Sequence, residues 1–252
     1  MIRIKTQSQI EGIRASCELL SELLKLLTPM VQPGVSLLEI DKFAKDYIIH
    51  HKGYPAFLGF EGYPASLCLS VNETVIHGIP SNRKLVEGDI IGIDGGIILN
   101  GYYSDAAITL PAGKTTKEAE DLMRVTRECL ELGIAQVKPG ARIHDISRAI
   151  FSHATSHGYG VVRQYCGHGV GLEMHEDPQI PNYVSIGPNP RLMPGMVIAI
   201  EPMINAGKPD VKVLADDWTV VTMDKSLSAH YEHTVLVTET GHEVLTSWTY
   251  PS

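Results

Sequence analysis

Asp94 and Glu201 close two near-identical stretches, KLVEGDIIGIDG (84–95) and RLMPGMVIAIEP (191–202). At an offset of 107, Leu85 meets Leu192, Gly88 meets Gly195, Ile91 meets Ile198 and Ile93 meets Ile200. A second pair of acids follows, because YYSDAAITL (102–110) and AHYEHTVLV (229–237) align Asp105 with Glu232 at an offset of 127. Asp or Glu on a strand is most often solvated, but four acids at equivalent places, joined by His168 and His175 of CGHGVGLEMHEDP (166–178), form a set. Four carboxylates carry a charge that two divalent cations neutralise. Oxygen-rich ligation with one imidazole is too hard for a structural Cys/His zinc and suits Mn²⁺, Fe²⁺ or Co²⁺, with Zn²⁺ also accommodated. Two such ions about 3.5–4 Å apart activate a shared water and hold a substrate group for hydrolysis. A single-metal oxygenase site calls for two histidines and one carboxylate, and the excess of acids argues against it.

The elements that carry these residues can be read from their spacing. Asn100-Gly101 lies between two strand-like runs, and a two-residue type I′ turn needs positive φ at both central positions. Such a turn sets Leu99 opposite Tyr102 and Gly96 opposite Asp105. Asp94 and Asp105 then become diagonal neighbours on one face, with α-carbons about 7–8 Å apart. Held in an apolar strand pair, they repel unless a cation lies between them.

Upstream, QPGVSLLEIDKFAKDYIIHHKGY (32–54) faces KPGARIHDISRAIFSHATSHGY (138–159), matching Pro33-Gly34 with Pro139-Gly140 and Ile40 with Ile146. Each is preceded by an apolar-periodic segment, ASCELLSELLKLLTPMV or LMRVTRECLELGIAQV. Both halves therefore read helix, Pro-Gly turn, helix, loop, strand. Two copies at this long period imply a pseudo-symmetric α+β domain and exclude a solenoid, which needs more repeats. One domain over 1–252 is expected, with the repeat spanning roughly 12–113 and 120–241. The second half carries roughly twenty extra residues between its strands, including ADDWTVVTMD (215–224).

At 252 residues, 44% hydrophobic and 20% charged, the chain has an ordinary globular composition. Its formal charge of −8, with Lys and Arg scattered, disfavours DNA or RNA as a partner. The N-terminus turns polar too soon for a signal peptide, and no run of about 18 apolar residues spans a bilayer. A cytoplasmic protein that does not enter a membrane is expected. The leucines at 19, 20, 23, 24 and 27 describe an amphipathic helix. Cys17, Cys68, Cys129 and Cys166 show no CxxC pairing and read as free thiols.

Five ordered segments, VNETVIHGIP (71–80), GDIIGIDGGIILNGYYSDAA (88–107), GHGVGLEMHEDPQIPNY (167–183), MVIAIEPMI (196–204) and AHYEHTVLVT (229–238), resemble the type I methionine aminopeptidases. The resemblance spans essentially the whole chain. It implies the pita-bread fold, in which pseudo-two-fold halves surround a curved antiparallel sheet with helices outside. It also implies two divalent metal ions (Co, Mn, Fe or Zn) ligated by Asp94, Asp105, His168, Glu201 and Glu232. The implied activity removes N-terminal methionine from nascent or newly made polypeptides whose second residue is small.

By the same resemblance, water activated at the metals attacks the scissile carbonyl with Glu201 as general base. His175 stabilises the developing oxyanion or adjacent amide, and His77 contacts the scissile nitrogen. Phe60, Tyr63, Cys68, Met174 and Trp218 stand where the family walls its methionine pocket, with His77 and His175 at its edge. Three positions depart from many relatives: Met174 stands for Phe, Phe60 for Tyr and His230 for Gln. They bear on fine preference and on metal affinity, His230 being expected beside Glu232.

Two other readings share features of the sequence. An Xaa-Pro aminopeptidase or prolidase has the same fold and ligands, but usually carries a domain ahead of the catalytic one. A catalytically silent paralogue that binds peptides, RNA or proteins should have lost ligands, and here all five positions are filled. A monomer is expected, and any association with the ribosome would use the catalytic domain's own surface.

Overall fold

The computed structural model describes residues 1–248, so the last four positions of the expected domain lie outside the described residues. Four long helices frame a set of antiparallel sheets: α1 (Gln7–Leu27), α2 (Leu37–His50), α3 (Lys117–Ile134) and α4 (Ile143–Ser156). Helix α1 starts from a reciprocal cap, in which Thr6 Oγ1 accepts the Gln9 N–H and Gln9 Oε1 accepts the Thr6 N–H. The leucine stripe is then turned inward: Leu20, Leu23, Leu24 and Leu27 are each at most 1% exposed. Each such side chain contributes about 1.5–3 kcal/mol by leaving water.

The hairpin of strands Ile90–Leu99 and Tyr102–Pro111 is the backbone of the first half. Its register sets Leu99 opposite Tyr102, Gly96 opposite Asp105 and Asp94 opposite Ala107. Asn100 and Gly101 take φ of 52° and 83°, as the two-residue turn requires. Strand Leu67–Val71 flanks the hairpin, with Cys68 opposite Asp94. In the second half, strand Val197–Ile200 pairs with His233–Val237 on one side and with Gly167–Gly169 on the other.

The two halves repeat individual hydrogen bonds as well as elements. The Gly34 N–H donates to Leu85 O at 2.8 Å, and the Gly140 N–H to Leu192 O at 2.9 Å. The Gly88 N–H donates to Ala112 O at 3.1 Å, and the Gly195 N–H to Val237 O at 2.9 Å. Helices α2 and α4 begin alike: Glu39 accepts the Ser36 N–H and Asp145 accepts the Arg142 N–H, both at 2.8 Å. The strand that carries Asp105 meets the second half at an isolated bridge, Ala107 with Glu232, where the Glu232 N–H donates to Ala107 O at 2.9 Å. Beside it, Thr234 Oγ1 donates to Asp105 O at 2.7 Å.

The insertion of the second half crosses over to serve the first. Its strand Val220–Thr222 pairs with Thr74–Ile76, directly before His77. This pairing brings Trp218 to the first half's loops, with its ring centroid 5.1 Å from Tyr63 and 6.1 Å from His77.

Candidate active site

The bridge between the halves places the acids of both on one spot. Asp94 and Asp105 come from the hairpin, Glu201 follows strand Val197–Ile200, and Glu232 sits at the junction itself. Exposure is 9% for Asp94, 3% for Asp105 and 2% for Glu232, and the Glu201 side chain is 12% exposed. His168 is fixed in the short strand Gly167–Gly169. The glycines on either side of it are dictated by space: a Cβ on Gly167 would lie 2.3 Å from Ala199 O, and one on Gly169 2.4 Å from Asp177 O.

His168 shows which ring nitrogen is available. Its Nδ1 lies 2.9 Å from Gly169 O, so the N–H points there and the lone pair is on Nε2. That Nε2 faces Asp105 Oδ2 at 3.5 Å and Glu201 Oε1 at 3.4 Å. Ligand atoms of Asp105, His168 and Glu232 all lie within 4.8 Å of one another. Asp94 Oδ1, Asp105 Oδ1 and Glu232 Oε1 are buried without a hydrogen-bond partner. Buried polar groups are normally satisfied, and an orphaned acceptor set of this kind is completed by cations.

Electrostatics agree with that fit. Burial pushes Asp94 up to about 7. Burial, then the neighbouring acids, push Asp105 and Glu232 well above the usual carboxylate range, and burial followed by Asp94 does the same to Glu201. Burial with neighbouring His175 lowers His168 to about 4, which keeps the imidazole neutral as a ligand must be.

His230 stands two residues before Glu232, and its Nε2 is 3.8 Å from Glu201 Oε2 with no hydrogen-bond partner, so it also faces Glu201.

Two cavities meet at these residues. A smaller one of 140 Å³ is lined by Phe57, Phe60, Tyr63, Cys68 and Trp218 together with the acids. An open cleft of 540 Å³ runs past Tyr165, Glu173 and Gln179. His77, His168, His175 and Glu201 line both, and so mark the junction. Asp94, Asp105 and Glu232 belong to the smaller cavity alone.

His175 stacks edge-on to His168 with centroids 4.4 Å apart and to Phe60 at 5.4 Å. His77 adopts φ of 57°, an unusual conformation for a residue with a Cβ and one that collects at functional sites. Burial, then the field of His175, holds it at about 4, hence neutral. Met174 is not among the residues lining the smaller cavity; it is 2% exposed and its methyl reaches toward Gly96. Phe57 and Glu61 line that cavity without having been singled out in the sequence. The aromatic run GYPAFLGFEGYP (53–64) offered a signal for Phe57, whereas Glu61, at φ of 48°, offered none.

The description Metallopeptidase family M24 matches residues 11–239. A methionine aminopeptidase of Treponema pallidum is 52% identical over 98% of this chain and 96% of its own length. The Escherichia coli K12 methionine aminopeptidase is 46% identical over 97% of this chain and 94% of its own. Among solved structures, the methionine aminopeptidase of Rickettsia prowazekii superposes with a TM-score of 0.95 at 41% identity, covering 98% of this chain and all of that one. The prolidase of Pyrococcus furiosus shares the fold at a TM-score of 0.78 and 24% identity, and this chain covers 66% of it.

Proposed function

The chain belongs to metallopeptidase family M24, and from that premise we propose that it is a metallo-aminopeptidase removing N-terminal methionine from nascent polypeptides with a small second residue. The observation that carries this reading is a small pocket, walled on one side by Phe57, Phe60, Tyr63, Cys68 and Trp218 and on the other by the four acids, that adjoins a larger cleft at His77, His168, His175 and Glu201. A pocket of that size takes one side chain of a substrate lying in the cleft, which suits an exopeptidase. Full-length similarity to methionine aminopeptidases, against two-thirds coverage of a prolidase, supports this reading over the Xaa-Pro one.

Asp94, Asp105, His168, Glu201 and Glu232 would hold two divalent ions, Co, Mn, Fe or Zn. Bound there, they supply Lewis acidity toward the scissile carbonyl and a water of lowered pKa. The chain's own residues do the rest. Tyr63, Cys68, Phe60 and Trp218 enclose the methionine side chain, where sulfur against aromatic edges adds selectivity. Asp94, in the smaller pocket, receives the free amino terminus, so an acylated terminus loses that fit. Glu201, at the junction, takes the proton of the attacking water and passes it to the leaving amine. Neutral His175 donates to the carbonyl oxygen as charge develops, and neutral His77 orients the scissile nitrogen. A single catalytic domain over 1–252, built from the repeat 12–113 and 120–241, is part of this reading.

A cytoplasmic location follows from the substrate class; among the described residues no helix is long and apolar enough to cross a membrane. The protein acts as a monomer, and association with the ribosome would use the domain's own surface.

The test is mass spectrometry of Met-Gly-, Met-Leu-, formyl-Met-Gly- and Ala-Pro-led peptides with metal-free protein, before and after Mn²⁺ or Co²⁺. Loss of one methionine from Met-Gly alone, only with metal, is expected. Cleavage of Ala-Pro would move the chain to the prolidase branch, and no cleavage with any ion would make it a silent paralogue.

A further inference from the structure

Away from both cavities, helices α3 and α4 bring together Glu128, His153 and His157, none of which lines the site described above. His153 and His157 are one helical turn apart, so their rings share a face of α4, with centroids 4.6 Å apart. Glu128 comes from the facing helix, with its Oε2 2.7 Å from His153 Nε2. One ligand atom from each residue lies within 4.8 Å of the other two.

The state of the rings favours a cation. His157 Nδ1 lies 3.0 Å from the carbonyl of His153, so its N–H is used there and the lone pair is on Nε2. The contact between His153 and Glu128 needs a proton on Nε2, and that proton is the one a cation displaces. Glu128 is oriented from its other oxygen, Oε1, which accepts from Arg124 Nη1 at 2.8 Å. The His153 and Glu128 side chains are 23% and 31% exposed, and His157 faces solvent, which leaves an entry path and room for water ligands.

We propose that Glu128, His153 and His157 form a second metal site, distinct from the carboxylate centre, that binds a late first-row divalent cation and ties α3 to α4. Two imidazoles and one carboxylate suit Zn²⁺, Ni²⁺ or Cu²⁺ and discriminate against Mg²⁺, Ca²⁺ and Mn²⁺. The ion bound here takes no part in peptide hydrolysis. It acts by mass action on the folded state, because the unfolded chain has no such site.

Ni²⁺ is the probe. Equilibrium dialysis with elemental analysis is run on the parent, on His153→Ala/His157→Ala, and on His168→Ala, and the bound ion is located in crystals by anomalous scattering at the nickel edge. The double variant is expected to lose one equivalent of Ni²⁺ while keeping parental turnover with Mn²⁺. His168→Ala is expected to keep that equivalent although its turnover collapses. The anomalous peak should lie between α3 and α4. Equal stoichiometry in parent and double variant, or a peak at the exposed His50-His51 pair instead, overturns the proposal. Since the helix-surface variant needs only to retain turnover to be known as folded, failure here is separable from failure of the peptidase reading.

Discussion

Lys5 Nζ lies 2.8 Å from Glu176 Oε2, with both side chains only 1% exposed. The other oxygen of Glu176 accepts the N–H groups of Leu172 at 2.7 Å and Glu173 at 3.2 Å. This buried pair therefore ties the N-terminal segment to the loop that carries Met174 and His175. Removing one partner strands a charge, which costs about 3–5 kcal/mol, whereas removing both is nearly neutral. Lys5→Met should lower the unfolding free energy measured in urea by that amount, and Lys5→Met/Glu176→Gln should recover most of it. A single variant as stable as the parent would show that the pair does not hold the loop.

Glu201→Gln should keep the fold and lower turnover of a Met-Gly peptide by on the order of 10²-fold or more, as loss of a general base does. Circular dichroism reports the fold and single-turnover kinetics the rate. Near-normal turnover would remove Glu201 from that role.

The metal-free protein should lose stability as pH rises above about 6.5. Burial raises Asp94 to about 7 and holds Asp105, Glu201 and Glu232 well above the usual carboxylate range, so the native state holds protons that the unfolded chain has released. Groups of that kind stabilise at low pH, and their contribution is lost as pH climbs through the folded pKa. His77, His168, His230 and His233, lowered mainly by burial to about 4, 4, 3 and 4, act in the opposite sense below their ordinary 6.5. The two sets oppose each other in acid, and above 6.5 only the acids remain. Thermal scans from pH 6.5 to 8.5 should show a falling Tm without metal. Saturating Mn²⁺ should flatten the curve, since cations replace the protons; a falling curve that Mn²⁺ leaves unchanged would contradict the ligand set.

Trp218→Ala should lower kcat/KM for Met-Gly substrates by about 10–200-fold, the range for lost apolar contact in a pocket. The opened wall beside Tyr63 should at the same time narrow the preference for methionine over larger first residues. Parallel assays on Met-Gly and Phe-Gly peptides measure both; an unchanged ratio would place Trp218 outside the selectivity wall.

The parts of the site that lie on regular strands were legible in the sequence because period and turn chemistry are local. Asn100-Gly101 sets the register, and the register alone places Asp94 diagonal to Asp105. The doubled Pro-Gly turns and strands likewise announced the two halves. Other features depend on distant chain. Trp218 reaches His77 only because an inserted strand crosses to Thr74–Ile76, which no periodicity encodes. Met174 turns to Gly96 because the glycine leaves space there, and His230 faces Glu201 because its strand pairs with Met203–Asn205, just beyond that acid. The positive φ of His77 follows from its loop and has no sequence signal of its own.

The bridge between Ala107 and Glu232 has a consequence for how such a site could exist at all. Either half alone holds two of the four acids and an unpaired backbone edge where the other half now sits. Two separate copies would have to find each other before any ion could be held, and their occupancy would fall with dilution. Covalent joining makes that encounter intramolecular, so the four-acid cluster stays assembled at any protein concentration.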